Sequence, residues 1–528
     1  MPAKKRGGKK SRSSPGPKKG AGESNVDVIN NSPYKDAPLG AILGTFKPTY
    51  TQWVARYVVL SFAVILRSAV GLGPYSGYQS EPMHGDFEAQ RHWMEITIHL
   101  PITKWYFYDL EWWGLDYPPL TAFHSWVLGQ IGSWLDPAWF ALDSSRRLDD
   151  YDLKSYMRAT AIVSELVVYI PAAVWFVRWF GRHVTKQNSI DQAMAIAAIL
   201  YQPALVLIDH GHFQYNSVML GFTLLSIVCL LHHRRLLASF FFVLSLGFKQ
   251  MSLYYAPAIF AYLLGNCVFP SINIVRLLSI GTVVIATFVL IVLPFFVMGG
   301  VEQLHQMVVR VFPFARGLWE DKVANVWCTV NTFVKLKQLF SSKELQNISL
   351  LATFIAILPS MGIIFYYPRK HLLPWAFSST AWAFFLFSFQ VHEKTVLVPL
   401  MPVTILLAST DRDVVAMVAW INNIATFSLW PLLKREELAI QYAVMTFCWN
   451  WLIGNITPLR LPSNIFWKLV IIGSYLGIVV LHLAEYLVPS HLYIEKYPDL
   501  WSLGNITLAA PCFGLFWVWT LYKLYTSR

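Results

Sequence analysis

The stretch LLSIGTVVIATFVLIVLPFFVM, residues 277–298, decides the fold class of this chain. It contains no charged residue and, as a helix, is long enough to cross the hydrocarbon core of a bilayer. About fifteen apolar runs of this general kind recur between residues 54 and 521. The whole chain is 55% hydrophobic and only 14% charged, which excludes a soluble globular protein. The sequence predicts an all-α polytopic membrane protein with about fourteen transmembrane helices.

The distribution of basic residues indicates how the chain is oriented in the membrane. The formal net charge is +12, and much of the excess lies in the first twenty residues and in short connections between apolar runs. Such Lys/Arg-rich connections mark the cytosolic side, and without a folded basic patch they do not indicate a nucleic-acid partner. We expect both termini to lie in the cytosol.

The same distribution predicts the domain organisation. Residues 1–48 begin with a Gly/Ser/Pro/Lys-rich segment that has no hydrophobic periodicity, and we expect them to form a disordered cytosolic tail. Residues 49–525 form a single transmembrane domain. Its two longest polar connections, residues 73–117 and 299–347, are expected on the face opposite the cytosol.

Four polar patches fall together on the face opposite the cytosol in this topology. They are the loop around Asp86, DHGHFQYN at residues 209–216, RGLWEDKVANVWC at 316–328 and HEKT at 392–395. One conflict remains, because three apolar runs between the first two patches would place them on opposite faces. Either one of these runs is not a full crossing or the positive-inside rule fails locally. The run at residues 118–135, which carries a histidine and a glutamine, is the one that we expect not to cross fully.

The first patch continues as GDFEAQRHWMEITIHL, residues 85–100. On a helical projection Phe87, Met94 and Ile98 form one stripe and the charged side chains form another. This pattern is typical of an amphipathic helix lying flat at a membrane surface. Asp86 stands at the N-terminal edge of that helix. It is interpreted either as a helix cap or as a catalytic carboxylate, and the residues alone leave both interpretations open.

Two further segments carry polar groups beside apolar sequence. In YDLEWWGLDYPPL, residues 108–120, Asp116 stands among aromatic rings as in sugar-binding sites, although the tryptophans are also explained as interfacial anchors. In DHGHFQYN, Asp209, His212 and Gln214 suit hydrogen bonding to a polyhydroxylated or phosphorylated substrate. A metal site is the less favoured interpretation, because the segment offers too few ligands.

Cationic residues mark the remaining candidates. Lys249 interrupts the apolar residues 236–264, which favours a broken or re-entrant helix pair with a functional lysine at the break. His392, Glu393 and Lys394 end an apolar run, where cations are natural phosphate ligands, although Lys394 has a second interpretation as a side chain that snorkels to the interface. The third patch is interpreted either as a solvated loop or as a substrate-facing one, and it supplies Arg316, Glu320 and Asp321.

Several long strings resemble one known family. GDFEAQRHWMEIT, YDLEWWGLDYPPLTAFHS, DHGHFQYNS, WEDKVANVWC and FSFQVHEKT, in this order, are similar to segments of the endoplasmic-reticulum glucosyltransferases of asparagine-linked glycosylation. The resemblance covers nearly all of residues 50–525. It implies a GT-C architecture, with short amphipathic helices in the lumenal loops, and transfer of glucose from dolichyl phosphate glucose. The acceptor implied is the mannose-rich oligosaccharide on dolichyl diphosphate, and the linkage is α-1,3.

The segment GLDYPPLTAFHS is closer to the family member that adds the first glucose than to the one that adds the second. The alternatives within the enzyme class are that second member and a mannosyltransferase. A transporter is the alternative from a different class. It is disfavoured because the sequence shows no inverted repeat and the polar residues gather on loops at one face.

The resemblance, together with the chemistry of the implied leaving group, suggests roles for individual residues. The first lumenal loop supplies the catalytic carboxylate, which makes Asp86 the base of an inverting reaction. Cations neutralise the departing phosphate, with His392 and Lys394 ahead of Arg316 and Lys249, and Glu393 orients them. No metal is expected, because a lipid-phosphate leaving group presents no diphosphate to chelate one. The other expected substrate-binding residues are Asp116, Asp209, His212, Gln214, Glu320 and Asp321.

Overall fold

The computed structural model describes most of the chain, and its regular elements are helices. The described residues are 32–46, 48, 50–82, 84–312, 322–456, 458–489 and 496–528. The α-helices are α1 Pro38–Leu43, α2 Gln52–Gly71, α3 Asp86–His99, α4 Pro119–Leu135, α5 Tyr151–Val167, α6 Tyr169–His183, α7 Ser189–Leu200, α8 Pro203–Val206, α9 Asn216–Leu231, α10 Arg235–Phe248, α11 Ala256–Val268, α12 Ile274–Val311, α13 Val326–Phe333, α14 Leu336–Leu339, α15 Ser342–Tyr366, α16 Leu373–Phe387, α17 Leu397–Thr404, α18 Arg412–Ser428, α19 Trp430–Arg435, α20 Ala439–Leu452, α21 Ile465–Leu487 and α22 Leu500–Thr526. A π-helix at Leu207–Phe213 and short 3₁₀ turns, including Gln250–Tyr255 and Glu393–Val396, join some of them.

Helix length and composition confirm a multi-pass membrane protein. Within the described residues, 8 helical segments are long and apolar enough to cross a membrane. Counting the bent pair Ser189–Leu200 and Pro203–Phe213 as one span gives 9. The apolar helices α9 and α10 are shorter. The all-α polytopic fold is therefore confirmed, while the number of about fourteen crossings stays a prediction.

Contacts at one face bring the two described ends of the chain together. The Tyr34 hydroxyl donates to the Leu407 carbonyl at 2.7 Å. Four residues beyond Leu407, the Asp411 carboxylate lies 3.7 Å from the Lys523 ammonium near the end of α22. The start and the end of the described chain therefore lie on the same side of the helix bundle.

The predicted disordered tail is too long at its C-terminal end. Residues 1–31 lie outside the described residues, but residues 32–46 pack against the transmembrane helices. Tyr34 is fully buried, and Leu39 and Leu43 of α1 are buried in the same core. The boundary at residue 48 was inferred from the charge pattern. It overlooked the free energy that the apolar side chains of this segment gain from burial.

The helix predicted at residues 85–100 is present as α3, but it does not lie at a surface. The charged side chains of Glu88, Arg91 and Glu95 are buried and paired with one another. The Arg91 guanidinium lies 2.6 Å from Glu88 and 2.8 Å from Glu95, and it donates to the Ser145 hydroxyl at 2.6 Å. Ion pairing and hydrogen bonds offset the cost of removing these charges from water, so a helix with a polar face is enclosed within the protein.

α4 is formed by the run on which the count of crossings depends. It packs directly on α3, and Gly129 permits the close approach, since a Cβ there would lie 2.8 Å from the Ile98 side chain. α4 is not among the spans identified in the described residues. The regions of Asp86 and His212 meet on one face of the bundle, and the partial crossing of residues 118–135 stays a prediction.

The predicted break at Lys249 is confirmed. α10 ends at Phe248, Lys249 is extended with φ −148° and ψ 126°, and a 3₁₀ turn follows. The Phe248 carbonyl, which has no helical partner at such a break, accepts a hydrogen bond from the Thr121 hydroxyl of α4. Satisfying that carbonyl inside the protein makes the interrupted helix stable at membrane depth.

A buried ionic cluster links α2, α5 and the π-helix. The Arg67 guanidinium of α2 binds Glu165 of α5 at 2.5 and 2.6 Å, and His210 of the π-helix lies 2.6 Å from the same carboxylate. Arg67 and Glu165 are both almost completely buried. The cluster therefore fixes the position of the segment that also carries His212.

Removing one member of this cluster is expected to destabilise the protein. Arg67→Leu removes the guanidinium that neutralises Glu165 and leaves the buried carboxylate with His210 alone, and breaking such a buried ion pair costs about 3–5 kcal/mol. Replacing both residues by leucine removes the uncompensated charge and recovers most of the loss. Thermal unfolding of the detergent-solubilised protein measures both effects. Arg182→Leu, at an exposed position of α6, is the control. An Arg67→Leu protein that melts like the wild type contradicts this role.

Candidate active site

Asp86 is the first residue of α3, but its carboxylate does not cap the helix. The N-cap is Gly85, and no side chain caps this end. The backbone N–H of Asp86 donates instead to the Ser76 hydroxyl at 3.0 Å. Glycine is needed at position 85, because a Cβ there would lie 2.3 Å from that hydroxyl. The capping interpretation is wrong, and the carboxylate is left to face other elements.

Three side chains from distant parts of the sequence meet one oxygen of Asp86. His212 Nε2 lies 2.8 Å from Oδ2, and Gln214 Nε2 donates to the same atom at 2.5 Å. The Lys394 ammonium forms an ion pair with it. The Asp86 and Lys394 side chains are each 20% exposed, so the cluster is accessible from one side. The structure thus joins three of the four predicted polar patches.

The ion pair controls the protonation of both partners. Burial by itself would raise the pKa of Asp86, but the charge of Lys394 and the hydrogen bond from His212 outweigh burial and hold that pKa well below its usual range. Burial would lower the pKa of Lys394, yet the Asp86 carboxylate raises it above its ordinary value. Both groups are therefore ionised at neutral pH.

His212 lies between two carboxylates. Its Nε2 faces Asp86, and its Nδ1 lies 2.7 Å from Glu436. Carboxylates only accept hydrogen bonds, so the two flanking carboxylates favour the imidazolium form of the ring, which donates from both nitrogens. The Lys394 ammonium also lies 3.1 Å from Nε2. With Lys394 the cluster holds two positive and two negative charges. The charge balance explains how four ionised groups can share a mostly buried site.

Gln214 connects this cluster to Lys249. Its amide nitrogen donates to Asp86, while its carbonyl oxygen accepts from the Lys249 ammonium at 3.3 Å. Lys249 also donates to Asn216 at 2.6 Å and lies 4.8 Å from the centre of the Tyr117 ring. Two lysines from separate helix breaks therefore approach one network of polar side chains.

The π-helix at Leu207–Phe213 directs these groups toward Asp86. Phe213, with φ 87°, ends the helix abruptly, so that the next residues turn back toward α3. Arg158 donates to the Gly211 carbonyl at 2.8 Å, and the N–H of Ser76 donates to the His212 carbonyl at 2.9 Å. These bonds satisfy the carbonyls that an ordinary helix would have paired. Such local departures from the α-helix are frequent at functional sites.

The other predicted residues are placed around this cluster or outside it. Asp116 precedes Tyr117 and contributes to the charge environment of Lys249. Glu393 lies 3.8 Å from Arg435. His392 begins the 3₁₀ turn that carries Lys394, and its carbonyl accepts from the N–H of Thr395 at 3.0 Å. Arg316, Glu320 and Asp321 lie outside the described residues.

Asp209 is placed differently from the prediction. It is fully buried, and its two oxygens accept from the Asn216 amide at 2.9 Å and the Ser217 N–H at 2.6 Å. It therefore holds Asn216, the partner of Lys249, rather than facing a cavity. The expectation that Asp209 binds substrate directly is corrected to a supporting role.

Glu436, Asn216 and Tyr117 belong to the site but were not predicted as site residues. Asn216 and Tyr117 stand within strings that were already singled out for polar and aromatic groups. Glu436 lies in KREE, residues 434–437, directly after an apolar run. A Lys-Arg pair in that position indicates a cytosolic connection, so the charge pattern points to the face opposite the one predicted for the Asp86 patch. Only the contact with His212 identifies Glu436.

The fold and the site define a multi-pass membrane protein with a charge-balanced acid–base cluster at one face. Comparison with known proteins identifies its class. The family model described as "ALG6, ALG8 glycosyltransferase family" matches residues 58–522. The chain belongs to this family and is a glycosyltransferase of GT-C architecture.

Relatives are similar along nearly the whole chain. A protein of Saccharomyces cerevisiae named dolichyl pyrophosphate Man9GlcNAc2 alpha-1,3-glucosyltransferase is 51% identical, with 95% of this chain and 97% of the relative covered. A probable enzyme of the same name from Schizosaccharomyces pombe is 46% identical over 92% of this chain and 95% of its own length. A Gallus gallus protein with that name is 40% identical over 75% and 77%.

Proposed function

We propose that this protein transfers glucose from dolichyl phosphate glucose to Man9GlcNAc2 on dolichyl diphosphate, in α-1,3 linkage and with inversion. The relatives named above support the acceptor and the linkage. The reaction takes place at the lumenal face of the endoplasmic-reticulum membrane, and both termini are cytosolic. The contacts that join residues 34 and 407 and residues 411 and 523 support a shared side for the two ends.

The observation that carries this proposal is the contact between a carboxylate and an ammonium at one accessible site. An inverting transfer needs a base on the acceptor hydroxyl, on the side of the sugar opposite the leaving group. It also needs positive charge at the departing phosphate. Asp86 supplies the base and Lys394 the charge, and their ion pair brings both groups to one site. The donor must part the two side chains, so that they act on opposite sides of the anomeric carbon.

The proposed step is a single displacement. The acceptor oxygen attacks the anomeric carbon of glucose while its proton passes to the Asp86 carboxylate. The bond between that carbon and the phosphate oxygen breaks, and dolichyl phosphate leaves with an additional negative charge. Lys394 and His392 stabilise this charge, and Lys249 contributes from the adjoining part of the network. We expect no metal, because the cations of the chain serve the monophosphate directly.

Binding of the donor turns Asp86 into a stronger base. In the free protein Lys394 holds the pKa of Asp86 well below its usual range, which makes the carboxylate a poor proton acceptor. A donor phosphate competes for the Lys394 ammonium and weakens that ion pair. The pKa of Asp86 then rises toward the value that burial favours. Asp86 therefore becomes an effective proton acceptor when the donor sugar is bound.

A transfer assay with the purified full-length protein tests the proposed function. The protein is given dolichyl phosphate glucose with either Man9GlcNAc2 or its monoglucosylated form on dolichyl diphosphate. We expect one glucose to be added to the unglucosylated acceptor. A strict requirement for the glucosylated acceptor would indicate the enzyme that adds the second glucose, and transfer to neither acceptor would contradict the proposal.

Glu436 is proposed to position His212 and to keep it protonated. The variant Glu436→Gln preserves the shape of the side chain but removes one of the two negative charges that face the imidazolium. We expect kcat to fall about tenfold, the lower range for loss of an orienting group, while KM for the donor changes little. The acid and alkaline limbs of the pH–rate profile are measured in the same assay. An unchanged kcat and an unchanged profile would contradict this role.

A further inference from the structure

A second cavity lies beside the candidate active site. Its volume is 330 Å³, at the lower end of the range of about 300–1,000 Å³ for small-ligand pockets. It is formed where α19, the end of α21 and the start of α22 meet. We call it the tryptophan pocket, and its lining residues are Trp430, Pro431, Lys434, Arg435, Glu485, Pro498, Trp501 and Ser502.

One carboxylate holds the polar wall of the tryptophan pocket in place. Glu485 accepts from the Trp430 indole at 2.7 Å and from the Lys434 ammonium at 2.6 Å. The Trp430 ring also packs against Tyr442 and His482, with ring centres 4.8 and 4.9 Å away. These contacts fix the wall before any ligand arrives, which lowers the entropic cost of binding.

The tryptophan pocket adjoins the Asp86 cluster through two consecutive residues. Arg435, in its wall, lies 3.8 Å from Glu393, the neighbour of Lys394. The next residue, Glu436, binds His212. A molecule extending from the site of transfer can therefore reach this pocket across a short stretch of surface.

The charges of the tryptophan pocket favour a neutral, hydroxyl-rich ligand over an anion. Lys434 is neutralised by Glu485, and Arg435 faces Glu393. Among the described residues, the wall therefore offers an anion only the exposed Arg435 guanidinium, which Glu393 faces at 3.8 Å, rather than a cluster of cations. Indole faces suit the C–H surface of a sugar ring, and the carboxylate, ammonium and Ser502 hydroxyl offer partners for sugar hydroxyls. A lipid chain forms no hydrogen bonds with these polar groups.

We infer that the tryptophan pocket binds a mannose residue of the acceptor glycan, at a position away from the mannose that receives glucose. The inference rests on the proposed function, because it assumes a mannose-rich acceptor. The inference gives the short helix α19 two roles. Trp430 and Lys434 build a glycan subsite, and the residues that follow connect it to the Asp86 cluster.

Kinetics of the full-length protein test the subsite. Trp501→Ala removes an indole face, and Ser502→Trp fills the pocket. Each is expected to raise KM for the Man9GlcNAc2 acceptor about tenfold, the change that one aromatic contact supports, with kcat within about twofold and KM for the donor unchanged. Trp501→Phe restores part of the affinity. Trp134→Ala is the matched control, since this tryptophan of α4 is 81% exposed and lines no part of the pocket.

Binding of the free Man9GlcNAc2 glycan to the same proteins separates this inference from the proposed function. Weaker binding by Trp501→Ala and Ser502→Trp than by the wild type supports the subsite even where no glucose is transferred. Absence of transfer by the wild type overturns the proposed function alone. An unchanged acceptor KM in both variants, with unchanged glycan binding and unchanged melting temperature, overturns the subsite. A parallel rise in KM for the donor also overturns it.

Discussion

Asp86→Asn is expected to lower the rate of glucose transfer about 10³-fold, within the range of about 10²–10⁴ for loss of a general base. An amide has the shape of the carboxylate but cannot take the proton of the acceptor hydroxyl. Its oxygen can still accept from the His212 ring and the Gln214 amide, so the fold around α3 is expected to survive. Initial rates with both lipid-linked substrates, together with thermal unfolding, measure the two effects separately.

The effect of Asp86→Asn on donor binding distinguishes a base from a binding residue. Removing the carboxylate charge releases the Lys394 ammonium from its ion pair. We therefore expect KM for the donor to stay the same or to decrease while kcat falls. Asp152→Asn, at an exposed position in the first turn of α5, should leave both constants unchanged. Retention of wild-type kcat by Asp86→Asn would remove Asp86 from the mechanism.

Lys394→Met is expected to lower kcat by about 10²–10³, the usual cost of losing one group that stabilises charge in the transition state. The variant should also shift the acid limb of kcat/KM to higher pH. Lys394 keeps the pKa of Asp86 well below its usual range, and burial raises that pKa when the ammonium is absent. The base is then protonated at a pH where the wild type still has it ionised.

The pH–rate profile of Lys394→Met tests the direction of this pKa shift directly. Lys343→Met is a suitable control, because Lys343 is exposed in the first turn of α15. Its profile should match that of the wild type. An acid limb that moves to lower pH in Lys394→Met, or does not move, would show that Lys394 does not set the protonation of Asp86.

The sequence predicted the features that arise from local composition. Apolar runs of membrane length became the long helices, and a lysine inside apolar sequence marked the break after α10. DHGHFQYN was recognised as a polar segment, and three of its members, His212, Gln214 and Asn216, reach the cluster around Asp86 and Lys249. Polar groups at membrane depth cost free energy. In these cases polar residues within apolar sequence therefore stand out as candidates for a function.

Features that depend on pairing between distant residues were not predictable in the same way. The pattern of α3 suggested a surface helix, because a sequence does not show that Arg91 finds Glu88, Glu95 and Ser145 inside the protein. Glu436 contacts a histidine 224 positions earlier. The Lys-Arg pair before it gave a misleading topological signal. Burial decides whether such charges are solvated or paired, and burial is a property of the whole fold.

A structure of the full-length protein with a non-transferable analogue of dolichyl phosphate glucose tests the central claim most directly. We predict that the phosphate lies within hydrogen-bonding distance of the Lys394 ammonium and that the ion pair with Asp86 is weakened. The anomeric carbon should face the Asp86 side of the cluster, with room for an acceptor hydroxyl between them. A phosphate bound away from Lys394, with the Asp86 ion pair intact, would contradict the account.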